Sequence, residues 1–318
     1  MHYEKPYLTI DKQLDLLKSR GLDVEDDAKA TEYLRRIGYY RLSAYGFPFR
    51  NSIVDVYGNQ QTLDTFKPRT TFKNISDLYA FDKSLRLVAL DALERIEISL
   101  RTEVALALGA IDPWAHREQQ NFDRDFINIK PPRTQSSFTE WLAKLNDKAK
   151  TSKEEFAVHF RDKYNQSQMP IWIAVELLDF GPLSHLIKGM KNAGLMNICA
   201  SYNLPNPLVL KGWIKTLSFV RNVCAHHSRL WNKALVNQPP KPASGYIPDF
   251  DHVALSPYQY RRLYAALCIL RFLLNSVNPR TKWADRTKAT ADTFPQSSHI
   301  ALKTAGFPAN WENLPLWN

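Results

Sequence analysis

The sequence predicts an all-α protein, and three observations carry that prediction. Apolar residues recur every three or four positions from Leu78 to Val104, which lays one stripe along about seven helical turns. Asn206-Pro207, a side-chain cap followed by a residue suited to the first helical turn, opens a second segment in which Trp213, Leu217, Val220 and Cys224 share a face. No stretch alternates apolar and polar residues for long enough to argue for a sheet, and no internal repeat is present.

From the N-terminus, residues 1–66 read as a small helical module. Ile10-Asp11 begins a helix with Leu14 and Leu17 at helical steps and Leu22 beyond, and Gly21 is suited to stop it. A second helix starts near Asp26 or Asp27 and carries Ala30, Tyr33, Leu34 and Ile37 toward Gly38. The run from Tyr39 to Arg50 then interleaves aromatic rings with arginines. Such a run can stack bases and hold phosphates, although tyrosines near a helix end more often pack two modules together. Residues 51–70 lack periodicity and read as a loop.

Residues 67–280 form the main helical domain, headed by the long stripe. On its polar face Asp91 with Arg95, and Glu97 with Arg101, stand at i,i+4, the spacing of ion pairs on a solvated surface. The proline-containing segment near 112–152 reads as an inserted connector with one short helix from Phe138 to Lys150. Ile171 to Phe180 reads as a helix closed by Gly181-Pro182. Gln238-Pro239-Pro240-Lys241-Pro242 cannot continue a helix, and Ser256-Pro257 starts another through Leu263, Leu267 and Leu270. Residues 281–318, with prolines and widely spaced aromatics, read as a tail wrapping the core.

Composition narrows the function. A chain of 318 residues can bury a substantial core without outside staples. Cys199, Cys224 and Cys268 form no CxxC pair, so neither a disulfide framework nor a structural zinc site is expected, and a reducing compartment is. No apolar run approaches eighteen residues or so, which excludes a spanning helix and, with the mixed N-terminus, a signal peptide. The expected location is the cytoplasm. A net charge of +10 favours polyanionic partners, nucleic acid first among them. Between Asp179 and Asp249 there is no acidic residue, where average usage would place about seven. Lys211, Lys215, Arg221, Arg229 and Lys233 fall in that stretch, which reads as a positive field for phosphates.

The most informative run is Arg221-Asn222-Val223-Cys224-Ala225-His226-His227-Ser228-Arg229-Leu230-Trp231-Asn232. Cleaving RNA without a metal needs a base for the 2′-hydroxyl, an acid for the departing 5′-oxygen and positive charge for the transition state. Histidine titrates in the right range for the first two, and arginine's permanent planar charge suits the third. Asn222 can orient the phosphate or a ring. On an unbroken helix Arg221 and His226 lie about 140° apart, so they share a site only if the helix bends between them or if two copies meet across a two-fold axis. With one such run in the chain, a homodimer is expected. A His-His pair can also be no more than a helix C-cap. A metal site lacks a third ligand at helical spacing, and neither metal nor cofactor is expected. The other histidines stand alone.

Arg221-Asn222-x-x-x-His226 resembles the R-x4-6-H signature of HEPN ribonucleases, and the run through Trp231-Asn232 resembles the abortive-infection D/F (Abi-like) family. Two further blocks are similar to that family in the same order. The first comprises Lys5-Pro6, Gln13, Arg20-Gly21-Leu22 and Ile37-Gly38-Tyr39-Tyr40-Arg41-Leu42-Ser43. The second comprises Phe81-Asp82-Lys83-Ser84-Leu85-Arg86 with Glu94-Arg95-Ile96-Glu97 and Arg101-Thr102. The resemblance implies a HEPN-type helical bundle and a metal-independent endoribonuclease leaving a 2′,3′-cyclic phosphate. It further implies phage defence or a toxin–antitoxin role, and association with a small non-coding RNA. By the same carry-over Arg221 and His226 are catalytic and Asn222 supports them. His227, Glu94, Glu97 and Arg101 are possible supports, and the choice of general base between His226 and His227 stays open. Lys211, Lys215, Arg229, Lys233, Tyr39, Tyr40 and Arg41 are the candidate RNA contacts. The rival readings are a HEPN module that binds RNA without cutting it and a helical DNA-binding regulator.

Overall fold

The computed structural model describes residues 6–318. Lys5, the first residue of the N-terminal block, lies outside them. Among the described residues the chain forms fourteen α-helices, short 3-10 turns and one two-stranded hairpin, so the all-α expectation holds.

Helix α1 (Ile10–Ser19) is capped by Thr9, and Gly21 at φ +85° turns the chain so that Leu22 is buried behind it. Helix α2 (Asp27–Ile37) starts where the Asp26 carboxylate accepts the Lys29 amide at 2.9 Å and ends at Gly38, φ +91°. Helix α3 is Tyr39–Gly46. The segment read as a loop is instead an antiparallel hairpin of β1 (Arg50–Val54) and β2 (Gln60–Phe66). Only Phe66 of its residues is buried, so neither face of the hairpin carries the period-two pattern that marks a strand against a core.

Helix α4 (Phe72–Gly109) is the axis of the fold, 38 residues opened by a reciprocal Thr71–Asn74 capping box. The remaining helices are α5 (Arg124–Ile127), α6 (Ser137–Thr151), α7 (Glu155–Tyr164), α8 (Ile171–Ala174), α9 (Phe180–Gly189), α10 (Asn192–Ser201), α11 (Pro207–Ala225), α12 (Pro248–Ala254), α13 (Leu263–Val277) and α14 (Trp283–Asp292). Helices α3, α8, α10, α11, α13 and α14 all pack against α4.

Three boundaries differ from expectation. The stretch from Ile171 to Phe180 is not one helix: α8 stops at Ala174, a 3-10 turn covers Val175–Leu177, and Gly181-Pro182 lies in the first turn of α9, where no intrahelical N–H is needed, rather than closing a helix. Ser256-Pro257 leads into a turn, and the long apolar helix starts six residues later at Leu263. The last segment contains a regular helix, α14, which lies along α4 with Trp283 Nε1 donating to the Val88 carbonyl at 2.8 Å. Beyond it, Trp317 donates to the Tyr264 hydroxyl at 3.0 Å and stacks near Trp283, which fastens the tail to α13.

Candidate functional site

Helix α11 carries the R-x4-H run at its C-terminal end. The Asn206 side chain accepts the Val209 amide at 3.1 Å, and Trp213, Leu217, Val220 and Cys224 are buried as the spacing predicts. Arg221 is half-buried, while Asn222, His226 and His227 are exposed. The helix does not bend between Arg221 and His226: the His226 amide still donates to the Asn222 carbonyl at 3.0 Å. One copy therefore holds the two groups about 140° apart around the axis and about 7.5 Å along it. No hydrogen bond joins their side chains among the described residues.

The helix ends in a double-bonded C-terminal turn. The His227 amide donates to the Cys224 carbonyl at 3.0 Å and the Ser228 amide to the Val223 carbonyl at 2.9 Å. This geometry puts His227 in the left-handed region, φ +54°, a position usually held by glycine.

Side chains from all three sequence blocks hold that turn. Arg41 on α3 donates to the His227 carbonyl at 2.6 Å, and Arg86 on α4 reaches the Ser228 carbonyl at 3.4 Å. Arg229 points back to the Ala44 carbonyl of α3. The centre is Asp82, fully buried, whose carboxylate accepts the Trp231 amide at 2.7 Å, the Leu230 amide at 3.0 Å, the Tyr45 hydroxyl at 2.7 Å and the Arg86 guanidinium. Burial pushes this carboxyl upward, and the Tyr45 hydroxyl, Arg86 and the two amides oppose the push. A charge in the interior is tolerable only with this many donors.

Around Arg221 the electrostatics are mixed. Glu97 binds Arg101 at 2.7 Å, and Arg101 also reaches Glu176 at 3.2 Å. Lys148 on α6 binds Asp179 at 2.6 Å. Burial raises the Glu97 carboxyl, while the charges of Arg101 and Arg221 pull it down. Asp179 is held low by its Lys148 hydrogen bond, with Arg221 and Arg101 adding to the pull. Arg221 thus lies in the field of two carboxylates that come from other parts of the chain. Glu94 is exposed and has no hydrogen bond or ion pair among the described residues.

The acid-free segment is therefore neutralised in part by acids from elsewhere in the chain. Lys211 pairs with Asp123 at 2.7 Å and donates to the Met190 carbonyl at 2.8 Å. Arg229 is committed to α3, and burial lowers its guanidinium pKa. Tyr39 accepts from Arg20 at 2.7 Å, so Tyr39 and Arg41 serve the packing alternative, whereas Tyr40 is 90% exposed. Lys215 and Lys233 are exposed. Of the candidate RNA contacts, Lys211 and Lys215 share one groove, while Tyr39, Arg41 and Arg229 are engaged in packing the N-terminal helices.

Sequence reasoning misses Asp82, Asp179, Glu176 and Lys148. Asp82 had a visible signal: it occupies a position of the apolar stripe, four residues after Leu78, with an arginine four residues further on. The Lys148–Asp179 pair spans 31 positions and leaves no local pattern. Among the described residues no three His, Cys, Asp or Glu side chains gather in a way that could hold a metal ion, and no helix is long and apolar enough to cross a membrane.

No curated protein matches the chain, and no solved structure does. A model of the family described as Abi-like protein matches residues 32–232. That span begins within α2, takes in Arg41, Asp82, Arg86, Glu97 and Arg221, and closes on Asn232, so the match covers the side chains that build the turn as well as the R-x4-H run. The chain belongs to the Abi-like protein family.

Proposed function

We propose that this protein is a HEPN-type, metal-independent endoribonuclease that acts from the cytoplasm in abortive infection or as a toxin, in association with a small non-coding RNA. Family membership supports the defence role. The chemistry rests on one observation: Arg221, Asn222 and His226 reach solvent from a helix end whose backbone is fixed by a buried carboxylate and three arginines. Such rigid placement is what a catalytic group requires.

In this reading the His226 imidazole removes the 2′-hydroxyl proton. The 2′-oxygen attacks phosphorus, the P–O5′ bond breaks, and an imidazolium protonates the departing 5′-oxygen. The products are a 2′,3′-cyclic phosphate and a 5′-hydroxyl. Arg221 offsets the charge that builds on the phosphorane, and Asn222 orients the phosphate. Because the unbroken helix separates Arg221 from His226, the site is completed by a second copy across a two-fold axis, which supplies the acid while the first supplies the base. His226 is preferred over His227 as the base because His227 is the residue that makes the turn.

A non-catalytic RNA-binding module is the alternative, and the separation of Arg221 from His226 within one copy favours it. The two readings part on His226→Ala in full-length protein. Cleavage should fall by about a hundredfold or more with affinity nearly unchanged if His226 is an acid–base catalyst. Loss of affinity, with no cleavage by the parent protein, supports the binding module. Equilibrium sedimentation of the parent protein tests the dimer.

A further inference from the structure

A groove of about 920 Å³ opens beside the N-terminal half of α11, away from the R-x4-H turn. Its cations are Lys130, Arg133, Lys188, Lys211 and Lys215; its acids are Asp123 and Asp125. Both acids are already occupied, Asp123 by Lys211 at 2.7 Å and Asp125 by Lys130 at 2.9 Å. Lys188 and Lys215 are exposed and meet no carboxylate within ion-pair distance among the described residues. The field registers at His185 in the groove wall: burial lowers its imidazole pKa, and the charges of Lys188, Arg133 and Lys144 lower it further.

The groove is built into the fold rather than left between mobile side chains. On one side Phe126 lies against Gly189, where a Cβ would stand 2.4 Å from the ring, and the Asp123 amide donates to the Gly189 carbonyl at 2.8 Å. On the other, Pro240 lies against Gly212, where a Cβ would meet its ring at 2.0 Å. The Pro240 carbonyl is held by the Tyr260 hydroxyl at 2.7 Å and Trp213 Nε1 at 3.3 Å. Two glycines thus permit the close approaches that fix the walls.

The lining also includes the amide-bearing residues Asn128, Gln135, Asn237 and Gln238, and the exposed apolar residues Leu208 and Val236. A lone phosphate would leave most of this volume empty. An acidic peptide would satisfy the lysines, and its backbone the amides, but its carboxylate side chains would leave Leu208 and Val236 uncovered. A single strand of nucleic acid uses all three features: phosphates for the lysines, base edges for the amides, base faces for the apolar surface. Placement on α11 adds direction. Lys211, Lys215, Ser218 and Asn222 follow at i, i+4, i+7 and i+11, one face of the helix, and His226 stands about 17 Å beyond Lys215.

We infer that this groove is a docking subsite for single-stranded RNA, which it holds a short distance from the bond presented at His226. The inference rests on RNA being the substrate, as proposed above, and supplies the place where the uncut part of the strand lies.

The test uses full-length protein carrying His226→Ala, so that the probe stays intact, with and without Lys188→Glu and Lys215→Glu. Anisotropy of a fluorescein-labelled single-stranded RNA of roughly twelve nucleotides is followed between about 50 and 200 mM salt. The charge reversal should weaken binding about tenfold or more, and the slope of log affinity against log salt should become shallower by about 1.4, the loss of two phosphate contacts. Lys188→Gln with Lys215→Gln should move the slope in the same direction, with circular dichroism confirming the fold. Unchanged affinity and slope would overturn the subsite, as would polyglutamate competing as well as unlabelled RNA. Cleavage by the parent protein, measured in parallel, separates the two ideas. A shallower slope with no cleavage keeps the subsite and removes the nuclease; His226-dependent cleavage with unaltered binding in the lysine variants does the reverse.

Discussion

Asp82→Asn is the substitution that most directly probes how the functional turn is held. Asparagine copies the shape of aspartate but keeps one acceptor oxygen, adds an NH2 among groups that are themselves donors, and leaves Arg86 uncompensated with its side chain only 6% exposed. Breaking a buried ion pair from one side costs about 3–5 kcal/mol, and a stranded backbone amide at Leu230 or Trp231 adds about 1–3 kcal/mol. The expected loss is therefore about 4–8 kcal/mol, a large share of the roughly 5–15 kcal/mol that holds a typical domain folded. Urea unfolding followed by tryptophan fluorescence reads the total, and hydrogen exchange at the Leu230 and Trp231 amides reads the local part. Asp82→Asn combined with Arg86→Met should lose less than the sum of the single changes by about 2 kcal/mol, because each single variant strands the other partner. If Asp82→Asn unfolds within about 1 kcal/mol of the parent with both amides equally protected, the buried carboxylate is not what fixes the turn.

Three further expectations follow from the same geometry. His227→Gly removes a side chain from a left-handed backbone position, φ +54°, and should leave stability unchanged or raise it by as much as about 1 kcal/mol while cleavage persists; a loss of cleavage as deep as that of His226→Ala would make His227 the base. Burial holds the His116 imidazole down to about 4, against an ordinary 6.5, so the unfolded chain takes up this proton before the fold does. Stability is then lost as pH falls from about 6.5 to about 4, reaching about 3 kcal/mol, and His116→Leu should flatten that part of the unfolding curve; superimposable pH profiles would sink the assignment. Gly189→Ala drives a methyl to 2.4 Å from the Phe126 ring and should cost about 1–3 kcal/mol, with faster proteolysis between Arg124 and Ser137; an unaltered melting temperature and digestion pattern would show that the groove wall yields freely at this contact.

Features written locally were legible in the sequence. The stripe of α4, the Asn206 cap, the buried face of α11 and the Glu97–Arg101 pair each depend on residues within one or two turns of each other, and each forms as its spacing requires. What could not be read depended on partners distant in sequence. The hairpin of β1 and β2 buries too little to pattern its strands, and Gly181-Pro182 fits the start of a helix as well as the end of one, so neighbouring packing decides. The acid-free segment misleads only in part, and for the same reason: Asp123, Glu97 and Asp179 come from outside it to meet Lys211 and Arg221, while Lys188 and Lys215 stay unpaired among the described residues. Arg41 and Arg229 look like phosphate ligands in sequence, yet spend their guanidinium groups on carbonyls 186 and 185 positions away.

The clasp formed by Arg41, Tyr45 and Arg229 has a consequence for how the chain could be cut into parts. Its bonds run in both directions between α3 and the residues after α11, so a shortened protein lacking α3 would present the histidines on an unsupported carbonyl and leave Asp82 without its phenol. The family match respects this seam, since its first residue, 32, keeps α3 inside and leaves α1 outside. A minimal fragment that keeps this turn intact should be trimmed ahead of α2, and any cut between α3 and α4 should dismantle the very corner it was meant to isolate.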